Sequence, residues 1–156
     1  MTAIGVTGHQ GIPVEALDYV TQGIRDFLAK QTAPIVGYSC LAMGADQIFA
    51  QAVLDAGGEL VAIIPCSGYE SNYTGEDLQA YERLLAQATV TVLDFPEGSE
   101  DAYLAAGEEV MRNSDVIVAI WDGKPAQGKG GTADAVAYAK SLGKEVVVIW
   151  PAGVSR

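Results

Sequence analysis

The chain has 156 residues, about half of them apolar and a fifth charged, with 18 glycines and a formal net charge of −11. That length suits one domain burying roughly 68–70% of its unfolded surface, and no run approaches the ~20 apolar residues of a membrane span. Nine Lys and Arg against twenty Asp and Glu argue against binding double-stranded nucleic acid, which requires many phosphates to be neutralised.

The N-terminal "MTAIGVTGHQG" has no basic segment ahead of an apolar one, so no signal peptide is read. Cys40 and Cys66 fit neither a disulfide framework nor a metal spacing, and a cytoplasmic protein with reduced thiols is expected. In chain order, "AIGVT" (3–7) predicts a short buried strand. A helix over 13–30 follows, with Pro13 in its first turn and Val14, Leu17, Val20, Ile24, Phe27 and Leu28 on one face. Then come a strand at 33–39, a helix at 44–57, a strand at 59–65, a helix at 75–88 and a strand at 89–95. Ser99 is placed to cap a helix over 100–113, whose Glu100 and Asp101 suit the first turn. A fifth strand at 115–121, a helix at 131–142 stopped by Gly143, and a sixth strand at 145–151 complete the pattern. Strands three, five and six are apolar on both faces, as in parallel sheets covered by helices. Strict alternation therefore predicts α/β architecture: one three-layer domain over 1–156 with a mostly parallel sheet of about six strands.

Ligands of such sheets bind beyond the carboxyl ends of the strands, where strand order reverses. The first loop there, "TGHQG" (7–11), offers Gly8, His9 and Gln10, His9 being the single histidine. It is not G-x-G-x-x-G, and Tyr38 and Ser39 stand where a ribose-holding acid would close strand two, so a standard dinucleotide site is not supported. No Walker lysine pattern occurs, and one histidine without neighbouring ligands leaves no catalytic metal to expect. No cofactor is implied. "SCLAMGADQ" (39–47) brings Ser39, Ala42 and Gly44 to a close turn and Asp46 to the next helix's first turn, as a dipole-stabilising acid or as an acceptor for a ribose or base. Arg112 lies at the amino side of strand five, so its contact with a ligand requires a partner subunit or a bent helix end, whereas Asp122 leaves that strand at the functional edge. Last, "DGKPAQGKGGT" (122–132) gathers Gly128, Gly130, Gly131 and Thr132 with Lys124 and Lys129 ahead of a helix. Backbone N–H groups and the positive helix end would hold a phosphate there.

"SCLAMGADQIFAQAVLDAGGELVAIIP" resembles the loop, helix and strand of the DNA-processing A proteins. "MRNSDVIVAIWDG" followed by "GKGGTADAVAYAKSLGKEVVVI" is similar to the SLOG superfamily, which joins those proteins to the lonely-guy phosphoribohydrolases and the YpsA-like proteins. The YpsA-like order fits best and covers nearly the whole chain: a TGH-like first turn, R-N before strand five, then D-G and G-G-T. The resemblance implies a Rossmann-like fold that binds a nucleotide or nucleotide-derived ligand. It also implies, for a lonely-guy enzyme, a catalytic glutamate at a position that is Ala135 here, with Asp134 one step away and about 100° round the helix. Arg112 matches those enzymes' arginine. Three functions follow: binding of a small nucleotide or phosphorylated ligand, N-glycosidic hydrolysis with Asp134 or another acid at the same edge, or an interaction module whose glycines only close turns. Flanking apolar helix surfaces suit a homo-oligomer in each case, and no membrane partner is expected.

Overall fold

Alternation along the first strand sets up the layers of the fold. In this computed structural model, which describes residues 1–125 and 131–155, β1 (Thr2–Gly8) turns Ile4 and Val6 to one side and Gly5 to the other. Ile4 and Val6 pack with Val20 and Ile24 of α1 (Val14–Ala29) and with Phe49 and Val53 of α2 (Ala45–Asp55). Gly5 faces the opposite layer, where a side chain would strike Ser114 and Val110 near the end of α4 (Glu100–Asn113). Glycine there lets α4 lie close to the sheet.

The remaining elements are β2 (Ile35–Ser39), β3 (Glu59–Ile64), α3 (Gly75–Ala86), β4 (Ala88–Val92), β5 (Val116–Ile120), α5 (Thr132–Ser141) and β6 (Glu145–Val148). All six strands are parallel, in the order β4-β3-β2-β1-β5-β6. The chain steps outward from β1 to β4, and α4 then carries it back to β5. Strand order thus reverses between β1 and β5, whose pairing sets Gly8 beside Ile120. A second core lies over β3, where Leu60, Ala62 and Ile64 meet Tyr73, Tyr81 and Leu84. A third joins Val110, Met111 and Ala139 to Ile63 and Ile117 on the α4 and α5 side. The three-layer α/β domain expected from the alternation is the observed one, with a sheet that is wholly parallel.

Some boundaries and burials differ from the sequence reading. β5 is buried at every residue, but β6 is a sheet edge with Val148 half exposed, so its apolar run does not mean two covered faces. Pro13 is the N-cap of α1 rather than a residue of its first turn. The connection at 66–74, between the third strand and the next helix, contains a 3₁₀ turn, Tyr69–Asn72. Among the described residues, no helix is long and apolar enough to cross a membrane.

Candidate ligand-binding site

A cleft of about 680 Å³ opens at the carboxyl ends of the strands. Its walls come from Gly8, His9, Gln10 and Gly11 after β1, Cys40, Ala42, Met43 and Asp46 around the β2–α2 turn, and Pro65, Tyr69, Asn72 and Tyr73 after β3. Tyr103, Gly107 and Met111 of α4 close another side, and Gly131, Thr132 and Ala135 at the start of α5 border it. The loops after β1, β2 and β5 therefore do meet at one rim, as strand-end geometry requires.

Two tight contacts make that meeting possible. A side chain on Gly8 would lie 2.5 Å from Ala45 Cβ and 2.7 Å from Ile120 Cβ, so the β1 exit fits between α2 and β5 only as glycine. Gly44 has φ +79° and ψ −124°, a conformation that strains L side chains, and a Cβ there would lie 2.3 Å from the Gln10 carbonyl oxygen. The β2–α2 turn thus rests directly on the backbone of the β1–α1 turn, sealed by Ala45 N–H donating to the His9 carbonyl at 3.2 Å.

His9 is buried and ties two strand ends together. Its N–H donates to the Ile120 carbonyl at 3.1 Å, and the Asp122 N–H donates to its Nε2 at 3.1 Å. Asp122 Oδ1 lies 3.3 Å from the same nitrogen, and Trp150 packs edge-on against the ring at 5.4 Å. Asp122 Oδ1 also accepts from the Lys124 N–H at 3.0 Å, turning the chain away from the end of β5.

Asp46 is the buried acid of the cleft. Burial pushes its carboxyl up to about 7, against the lowering effect of the Ala42 and Cys40 N–H groups that it accepts from. The Ala42 bond is 3.4 Å long. Burial and the nearby Asp46 charge together hold the Cys40 thiol well above its ordinary value. Beyond it, the Tyr73 hydroxyl donates to the Leu41 carbonyl at 2.9 Å, and Tyr69 and Tyr73 share a hydroxyl–hydroxyl bond. Burial raises both phenols far above the physiological range.

The residues expected from sequence fall into two groups. Gly8, His9, Gln10, Ala42, Asp46, Gly131 and Thr132 line the cleft. Ser39 lies beneath it, fully buried, accepting from the Leu41 N–H and donating to the Asp46 carbonyl. Gly44 acts through the chain crossing described above, and Asp122 through His9. Arg112 is not among the residues that line the cleft, although Met111 beside it is; in the last turn of α4 it pairs with Glu109 and donates to the Tyr138 hydroxyl at 3.1 Å. Gly128, Lys129 and Gly130 lie outside the described residues. Asp134 is exposed on α5, and the residue that α5 turns to the cleft beside Thr132 is Ala135. Thr132 opens that helix without capping it; Gly131 is the N-cap and supplies no side chain.

The expected cradle of amides is only partly available. At the start of α2, Ala45 N–H goes to the His9 carbonyl, Gln47 N–H to Ala42 and Ile48 N–H to Gly44. That loop consequently contributes a carboxyl and apolar surface rather than an anion nest. The expected residues did not include Asn72 or the aromatic side of the cleft, Tyr69, Tyr73 and Tyr103, although Tyr69 ends the 65–69 stretch that the strand-end rule selects. Beyond that rule, their signal is the concentration of tyrosines at 69, 73, 81 and 103.

A family model described as DNA recombination-mediator protein A matches residues 2–155. The chain belongs to that family. Solved structures agree with the fold of this recombination-mediator protein A family member. DNA processing protein A from Helicobacter pylori, described by its single-stranded DNA binding mode, is 18% identical with a TM-score of 0.68, over 94% of this chain and 64% of that one. DNA processing protein A from Streptococcus pneumoniae is also 18% identical, with a TM-score of 0.64, over 94% of this chain and 50% of that one. This family member therefore spans less than two thirds of either relative. A molybdenum cofactor binding protein from Rippkaea orientalis is 20% identical with a TM-score of 0.60, over 94% and 75% of the two chains. Together the family and these folds place the chain in the SLOG superfamily that its motifs resemble. Comparison with curated proteins gives no match.

These relatives correct the partner expectation, which was a small ligand and no double-stranded nucleic acid. The Helicobacter pylori protein is one whose description is single-stranded DNA binding, so the charge of this chain does not set nucleic acid aside as a partner class. The reason is physical: −11 is a sum over the whole surface, whereas a single strand is held by a local groove and by stacking of its bases.

Proposed function

We propose that this chain binds a nucleotide or nucleotide-derived ligand in the cleft, with the ligand's anionic group between the β1–α1 turn and the first turn of α5. The supporting observation is the cavity of about 680 Å³ at the reversal of strand order, bordered by the Gly8–Gly11 turn and by Gly131 and Thr132. Its size lies within the roughly 300–1,000 Å³ range of small-molecule sites. The α5 N-terminus carries a fractional positive charge of about +0.5, worth up to ~2 kcal/mol to a partly buried anion. The Thr132 hydroxyl, not used as a cap, is placed to donate to the same group. Several charge-assisted bonds of about 1.5–3 kcal/mol each bring micromolar affinity, about −8 kcal/mol, within reach. Isothermal titration calorimetry with AMP, ADP-ribose and cyclic nucleotides tests this. Micromolar binding to at least one is expected, weakened about tenfold in Thr132→Ala and abolished in Gly131→Asp, which sets a carboxylate against the anion. Absence of heat for all of them at millimolar concentration contradicts the reading.

The family match favours a second reading, in which the cleft takes one end or one base of a single DNA strand. Fluorescence anisotropy of a labelled oligothymidylate separates the two readings. Binding that AMP displaces supports a shared cleft; binding that AMP leaves untouched assigns DNA to another surface.

A further inference from the structure

The two ends of the cleft differ in chemistry. Around Gly8–Gly11 and Gly131–Thr132 it is glycine backbone, Thr132 and the polar side chains of His9 and Gln10; beyond β3 it is mostly tyrosine. The strand end of β3 stands about two inter-strand spacings from that of β1 and three from that of β5, roughly 10 and 14 Å. At the tyrosine end, Tyr69, Tyr73 and Tyr81 are buried and fixed against one another. Tyr73 and Tyr81 stack at 4.7 Å with 14° between planes, and Tyr69 meets both edge-on at 5.5 and 5.8 Å. Tyr103 differs. It is 40% exposed and lines the cleft, with its ring 6.3 Å from that of Tyr69 and tilted 55° to it. Its hydroxyl packs against Gly98, where a Cβ would come within 2.4 Å of it. The Tyr103 N–H donates to the Ser99 carbonyl at 3.0 Å in the capped first turn of α4. An aromatic ring is thus held in place by its backbone and its far end while one side stays open to the cavity.

Resting on the nucleotide reading above, we infer that this end of the cleft is a ring subsite in which the ligand's planar heterocycle stacks on Tyr103, with the Asp46 carboxyl beside the ring or its sugar as the polar partner. The subsite selects for an aromatic base and not merely for a phosphate. A stacked base contributes roughly ten- to hundredfold in affinity, and the buried Tyr69 ring backs that of Tyr103. Asp46 is held by backbone N–H groups and cannot swing out of the cleft floor.

The test is calorimetry of the full chain with two probes, AMP and ribose 5-phosphate, which share the phosphate and sugar and differ in the base. The wild-type chain is expected to bind AMP about ten- to hundredfold more tightly. Tyr103→Ala should bring AMP down to the level of ribose 5-phosphate and leave ribose 5-phosphate unchanged, whereas Tyr103→Phe should keep the preference. Tyr103→Leu retains apolar bulk on α4 and serves if the alanine variant does not fold; it too should lose the preference. Equal weakening of both probes in these variants, or an unchanged AMP affinity, overturns the ring subsite while leaving the phosphate site standing. Failure of the wild-type chain to bind either probe overturns both.

Discussion

At the scale of single residues, small side chains were visible in the sequence, but what packs against them was not. Gly8 read as part of a ligand loop or a tight turn, and Gly44 as a close backbone turn. In the fold they let two chain segments approach each other, and their tight contacts are with Ala45, Ile120 and the Gln10 carbonyl. A glycine needed for packing and one needed for a phosphate look alike until the crossing of the two loops is known. His9 and Asp122 were each legible as residues at strand exits, whereas their mutual contact, which pins β1 to β5, spans 113 positions of chain. Asp46 has the most measurable consequence. Its carboxyl titrates near 7 in the folded chain against about 3.8 when unfolded, because burial disfavours the charged form. Between those values the folded state holds a proton that the unfolded state has lost, so stability falls as pH rises from about 4 to 7 and then levels off. Asp46→Asn keeps an acceptor for the Ala42 N–H and removes the charge. Its melting temperature is expected to vary less across that window and to exceed the wild-type value at pH 8, by an amount of order 2–4 kcal/mol in stability. A profile parallel to that of the wild type, measured by thermal unfolding across pH, contradicts the assignment.

At the scale of elements, helices announced themselves through spacing and caps, and strands through apolar runs. Ser99 was read as a cap and is one: its Oγ accepts from the Ala102 N–H at 3.0 Å. Ser99→Ala should cost about 1 kcal/mol, a fall in melting temperature of roughly 2–4 °C by differential scanning calorimetry. A change under half a degree would show that α4 is held by packing alone. β6 was misjudged because apolar content reports what a strand is able to bury, while the order of strands decides what covers it; as the last strand on its side, β6 has one neighbour. The 3₁₀ turn at Tyr69–Asn72 escaped notice since four residues carry no helical or strand period of their own. Its Tyr69 meets Tyr81 and Tyr103, supplied by α3 and α4.

At the scale of the whole molecule, regular β-α alternation was enough for the architecture, because right-handed crossovers leave few ways to arrange six parallel strands. The position of the cleft followed from the same rule: the chain turns back between β1 and β5, and the cavity opens there. Net charge was the misleading quantity. A total of −11 describes long-range repulsion but not the chemistry of one cavity or groove. The aromatic half of the site, built from chain segments more than thirty residues apart, is a property of the assembled molecule and was the least legible part. The most direct measurement of the central claim is a crystal structure of the full chain grown with millimolar AMP. The predicted result is density for the phosphate against Thr132 and the β1–α1 turn, with the adenine lying over Tyr103. An empty cleft, or AMP bound elsewhere on the surface, contradicts it.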